Sequence, residues 1–175
     1  LDGGIDRVMS RIEDWFRVTL SDHDPWPVEQ HGLNALRLGL LCAGSVSDGT
    51  AAALTEITAA IVRAGGTVVV PDNASLLSTS TFRNMLSDGD TATTLSYGQA
   101  AEVSGLHIME TQTEHWVESV TGLGATGVEQ MLATTPDHPA QGHPMIPMIQ
   151  MGTATYGDDL DLLLGASSDE ILILL

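Results

Sequence analysis

The sequence predicts an α/β protein, a mostly parallel sheet of about five strands with helices on both faces. Residues 36–49 read as an apolar strand running into a small-residue turn that carries the single cysteine, Cys42. Thr50 to Arg63 has helical spacing, and Gly65-Gly66-Thr67-Val68-Val69-Val70-Pro71-Asp72 gives a second strand, which completes a βαβ unit. Further short apolar runs, interleaved with helical segments, repeat that alternation, the pattern of a parallel sheet. At 175 residues the chain is long enough for one buried core.

The elements follow in order. Ile5, Val8, Met9, Ile12 and Phe16 lie at helical spacing, flanked by Trp15, and predict an amphipathic helix over 4–18 that docks on the core or on another domain. Ser21 to Asn34, with two prolines and Gly32, reads as a polar connector. Its Asp22-His23-Asp24 looks like a metal cluster, but neighbours in an extended chain point different ways, so it is read as linker. The division is therefore residues 1–35, helix and linker, and 36–175, a single α/β domain.

Within that domain, Ala53, Leu54, Ile57, Ile61 and Val62 form the buried face of the first crossover helix, closed by Gly65-Gly66. A short helix is expected in 76–86, a turn at 87–90 and another helix over 91–103. Gly105 to Glu110 reads as a third strand ending on a carboxylate. A helix over 117–130 leads to a fourth strand at Met131–Thr135, and Met145–Met151 to a fifth. The nine residues Pro136 to Pro144 are short for a helical crossover, so this last pairing is not expected to be parallel. Asp158–Leu164 is read as a short helix, and Ser167 or Ser168 as the cap of a final one, with Asp169 and Glu170 in its first turn.

Charge excludes a class of partners. There are 23 acidic residues against six arginines and no lysine, a net charge of −17, and residues 84–175 hold 13 acids and no Arg or Lys. Such a chain repels phosphate backbones, which argues against nucleic acid. No apolar run approaches the roughly 20 residues of a membrane span. One cysteine excludes an internal disulfide, and a cytoplasmic protein is the default expectation. The chain starts at Leu1 without a leader and is expected to be a segment of a longer polypeptide.

Several motifs fail on context. Gly122-Leu123-Gly124-Ala125-Thr126-Gly127 matches the dinucleotide fingerprint but does not directly follow a strand, so close helix packing is the reading. Gly44-Ser45-Val46-Ser47 lacks the lysine of a phosphate-binding loop. Turns after strands in open α/β sheets hold small ligands, which singles out 42–47. Glu110, Glu114, His115 and Glu118 cluster after the third strand, and His138 and His143 follow the fourth. Carboxylates and imidazoles at strand ends suit a divalent metal or an acid–base pair.

In order along the chain, Leu38-Gly39-Leu40-Leu41-Cys42-Ala43-Gly44-Ser45 with Gly65-Gly66-Thr67-Val68-Val69, then Gly105-Leu106-His107-Ile108-Met109-Glu110-Thr111, Glu118-Ser119-Val120-Thr121-Gly122, Thr134-Thr135 with Gly142 and Pro147-Met148-Ile149, and Asp158-Asp159-Leu160-Asp161 with Gly165 form an ordered set. Over residues 36–175 it resembles the C-terminal region of the D-galactarate dehydratase/altronate dehydratase family. The resemblance implies metal-assisted dehydration of a sugar acid to a 2-keto-3-deoxy acid, with ferrous iron (Mn²⁺ or Mg²⁺ as alternatives) and an N-terminal domain supplied by the longer polypeptide.

The candidate site residues are then Glu110, His115 and Glu118 for catalysis, Cys42, Ser45 and Asp72 for substrate binding, and His143 with His115 for the metal. Ala43 and Val46 stand where the family carries glycine and aspartate, and Pro136-Asp137-His138 where it carries Gly-Arg-Gly. A sulfo-lyase on the same scaffold and a non-catalytic packing or dimerisation domain are the alternatives, and a homo-dimer is left open.

Overall fold

The computed structural model describes residues 2–21, 32–87, 92–135, 138–153 and 160–175. Two compact units divide at 30/31. The first unit contains helix α1 (Asp2–Ser21), whose Val8, Met9, Ile12 and Trp15 are exposed. Arg17 pairs with Asp14 at 2.6 Å on its surface, a contact worth little because water screens it.

The second unit is the α/β domain. Its strands are β1 (Arg37–Cys42), β2 (Thr67–Pro71), β3 (Thr93–Leu95), β4 (Gly105–Met109), β5 (Gln130–Thr134), β6 (Met148–Gly152) and β7 (Leu162–Leu163). They form one sheet in the order β3-β4-β2-β1-β5-β6-β7, with every pair parallel. The helices are α2 (Asp48–Ala64), α3 (Ser80–Ser87), α4 (Trp116–Ala125) and α5 (Ser168–Leu174).

Because strand side chains alternate, each central strand feeds two cores. Leu38 and Leu40 of β1, Val68 and Val70 of β2 and Leu132 of β5 pack under α2, together with Phe82 of α3 and Ile171 of α5. Leu41, Val69, Met109, Met131 and Ala133 face the other way, under Val120 and Leu123 of α4. Helices therefore cover both faces, and the middles of the central strands β1 and β2 are apolar.

Local chemistry sets the helix ends. The Ser47 hydroxyl accepts from the Thr50 N–H at 3.3 Å to start α2, and Gly65, at φ +94, ends it in the left-handed conformation that glycine adopts without strain. Gly66 lets two stretches of the backbone meet: a Cβ there would stand 2.3 Å from the Leu33 carbonyl oxygen. Ser167 and Glu170 form a reciprocal capping box on α5, and those hydrogen bonds hold the Glu170 carboxyl below its ordinary value of 4.5.

Four expectations are corrected. The sheet has seven strands rather than about five, the additions being the short edges β3 and β7. The described part of 91–103 holds β3 and a turn instead of a helix. Thr93 and Thr94 pair with β4, Gly98 takes φ +68, and the Ala101 N–H bonds to the Thr126 carbonyl, so tertiary pairing overrides local spacing. Leu162–Leu163 pairs with β6 where a helix over 158–164 was expected, while 158–159 lie outside the described residues. Finally, β6 begins at Met148, three residues later than the sequence reading. The connection then runs from 135 to 147, the dozen or more residues a parallel crossover needs, and β5 and β6 are parallel. The turn expected at 87–90 and the Asp22-His23-Asp24 cluster fall almost wholly outside the described residues.

Candidate functional site

An all-parallel sheet gathers every strand's carboxyl end on one edge. Cys42 ends β1, and Ser45, Asp72, Glu110 and Thr135 follow β1, β2, β4 and β5, so residues far apart in sequence share that edge. The strand order places β1 beside β5. The chain leaves β1 through α2 on one face, while the segment after β5 runs over the other, where Ile146 and Met148 join the α4 core. Where neighbouring strands send their connections to opposite faces, a crevice opens between their carboxyl ends.

A cavity of about 320 Å³ occupies that place. Ala43 after β1, Thr135 after β5 and Trp116 from the first turn of α4 line it, closed by His138 to Gln141. Its volume lies at the lower end of the range for small-molecule sites.

The walls are held from behind. Trp116 Nε1 donates to the Gln141 carbonyl at 2.7 Å. Gln150 of β6 pairs its side-chain amide with both backbone groups of Ala140, accepting from its N–H at 2.7 Å and donating to its carbonyl at 3.0 Å. Gln150 is itself fixed by Asp161, whose carboxylate accepts from the Gln150 N–H at 2.8 Å. Thr135 is buried, and its N–H donates to the Met151 carbonyl at 2.7 Å. Loop residues pinned in this way give a ligand a site whose ordering is already complete.

The residues singled out from sequence are placed differently. Cys42 turns to the α2 face and packs against that core, away from the α4 side. Burial pushes its thiol up to about 11, only partly offset by the Thr134 hydroxyl and the Leu76 backbone. Thr134 Oγ1 is buried and makes no hydrogen bond of regular geometry, so its help to a thiolate is weak. Ser45 is exposed in the turn before α2. Asp72 accepts from the Thr111 N–H at 3.0 Å and from its hydroxyl, a brace between the ends of β2 and β4. Glu110 is exposed, and its N–H bonds the Leu95 carbonyl at 2.8 Å.

His115 is the N-cap residue of α4. Thr113 ties that turn together, its hydroxyl donating to the Glu118 carboxylate and accepting from the His115 N–H at 3.1 Å. His143 lies on α4 at Gly124, where a Cβ would stand 2.7 Å from Nε2, and its Nδ1 accepts from the Met145 N–H at 3.1 Å. Nine helical residues separate Gly124 from His115, about 13 Å along the axis. The structure does not bring His115 and His143 together. Among the described residues, no group of three or more His, Cys, Asp or Glu side chains could hold a metal ion. The donor set for ferrous iron is therefore not assembled by these residues.

The glycine motif serves packing. A Cβ on Gly122 would meet the Tyr97 ring at 2.5 Å, so small residues let α4 lie against its neighbours. His138, passed over in favour of His143, is the titratable side chain among the cavity's lining residues. Its sequence signal is position, within a few residues of the end of β5. Trp116 and Gln150 carry no signal of that kind, since their partners are backbone groups 25 and 10 residues away.

Fold and cavity together define an open parallel α/β protein with a crevice at its switch point. No protein-family model matches the chain, and no curated protein matches it. No described helix is long and apolar enough to cross a membrane.

Proposed function

We propose that this chain is the ligand-holding α/β domain of a cytoplasmic hydro-lyase that dehydrates sugar acids. The observation that supports it is convergence: three of the segments resembling the galactarate and altronate dehydratases, those ending at Ser45, Thr111 and Thr135, reach one sheet edge, the edge that bears the cavity. In the reaction a base removes the hydrogen next to the carboxylate, the β-hydroxyl leaves as water with an acid's proton, and the enol relaxes to a 2-keto-3-deoxy acid. His138 is the cavity side chain able to accept and return a proton. Thr135 and Gln141 offer hydrogen bonds to ligand hydroxyls, and Trp116 closes the wall against water.

Iron, where bound, would acidify that hydrogen. Since the described side chains do not form its site, no step is routed through it. The test is a dehydration assay of the full-length protein on a panel of aldonates and aldarates, with and without Fe²⁺, alongside metal analysis. Formation of 2-keto-3-deoxy acid is expected, and no turnover on any member sinks the reading. The alternative, a non-catalytic packing domain, draws support from Asp72 and Glu118, whose carboxylates brace neighbouring turns. It predicts intact assembly and no turnover.

A further inference from the structure

We infer that the cavity between the ends of β1 and β5 takes an uncharged, hydroxyl-bearing part of its ligand, a polyol or sugar surface, and leaves a carboxylate outside. This rests on the reading of that cavity as a hydroxy-acid site. Ala43, Ala140 and Trp116 give it carbon surface, while Thr135, His138 and Gln141 supply hydrogen-bonding groups. That mixture suits a molecule with C–H faces and hydroxyl edges. The face of an aromatic ring is negative, so a ligand stacked on the Trp116 ring would present C–H groups to it rather than an anion.

Charge supports the same assignment. The chain contains no lysine, and no arginine lines the cavity. Arg37 sits at the amino end of β1, where it donates to the carbonyls of Gly127 at 2.6 Å and Ala101 at 2.7 Å. Arg63 is in the last turn of α2 and Arg83 in α3. The edge that bears the cavity also bears Asp72, Glu110, Glu114 and Glu118, all exposed. A carboxylate entering there meets those carboxylates with no arginine or lysine among the cavity's lining residues to offset them, whereas a polyol loses nothing.

The test uses the full chain carrying Trp15→Phe and Trp26→Phe, which leaves Trp116 as the single indole reporter. Its fluorescence is titrated with galactitol and with D-galactonate, in EDTA and at low ionic strength. Galactitol is expected to saturate with an affinity about tenfold tighter than galactonate, a difference of about 1.4 kcal/mol. The gap should narrow in 0.5 M salt as the field is screened to a few ångströms. Ala43→Leu, which fills the cavity, and separately His138→Phe, at an exposed position, should each abolish the galactitol response.

Galactonate binding as tightly as galactitol, saturation by neither, or an unchanged response in a folded cavity variant each overturns the inference. The dehydration assay separates the two levels. Turnover without galactitol binding removes this inference alone, and galactitol binding without turnover removes the dehydratase reading alone.

Discussion

Along one edge of the sheet, the ends of β2 and β4 carry Asp72 and Glu110, and the ends of β1 and β5 carry Ala43 and Thr135. The first region holds the chemically conspicuous residues. Its Asp72 carboxylate is committed to Thr111, and the Glu118 carboxylate nearby in sequence to Thr113. The second region is chemically plain and contains the cavity, because the connections leave β1 and β5 on opposite faces. Carboxylates at strand ends are thus as well suited to fastening turns as to catalysis. Space for a ligand is set by topology, and the side chains that matter there are the ones that support its walls.

Substitutions in the two regions should separate these roles. Trp116→Ala removes a half-buried ring and the bond to Gln141, and should cost about 2–3 kcal/mol of stability in urea unfolding while abolishing ligand binding in the cavity. A smaller loss would mean that the ring does not hold the wall. Next in size, the Cys42 thiol at about 11 against an ordinary 9.0 should react with iodoacetamide at pH 8 about 100-fold more slowly in the native than in the unfolded chain. Rapid native labelling would put Cys42 on the ligand side of the edge.

That thiol also carries a pH signature. Its raised native value favours the neutral form, so its contribution is complete below pH 9 and is lost as pH rises from 9 towards 11. Urea midpoints measured across that interval check it.

Gln150→Leu strands both backbone groups of Ala140 and should cost about 1–2 kcal/mol, with a larger fractional loss of ligand affinity than of stability. Gln150→Glu restores one of the two bonds and should recover part of both. The smallest effect is expected on the other side. Thr111→Val, which removes the hydroxyl bond to the exposed Asp72 and keeps the N–H bond, should cost less than about 1 kcal/mol and leave cavity binding unchanged. If that substitution weakened binding more than Gln150→Leu, the comparison drawn between the two regions would be reversed.

Much of this molecule was legible in its sequence, for local reasons. The apolar runs of β1 and β2, the helical stripe of α2 and the Gly65-Gly66 stop come from periodicity and backbone freedom, and they appear where expected. The Ser167 cap with Glu170 is equally local, since both partners lie within one turn. The edge strands were not legible. A three-residue segment such as Thr93–Leu95 has no periodicity of its own and becomes a strand only because β4 offers it a ladder.

The candidate site divides along the same line. Sequence alone determined that the residues after β1, β2, β4 and β5 share an edge, because parallel strands joined by crossovers must all point one way. The tertiary structure decided which part of that edge is open. The strand order set β1 against β5, turned Cys42 into the α2 core, and spent Asp72 and Glu118 on their neighbouring turns. It also brought Trp116 and Gln150 to the backbone of residues 140 and 141. A backbone carbonyl has no sequence identity, so the contacts that build this cavity become visible only once the chain has folded.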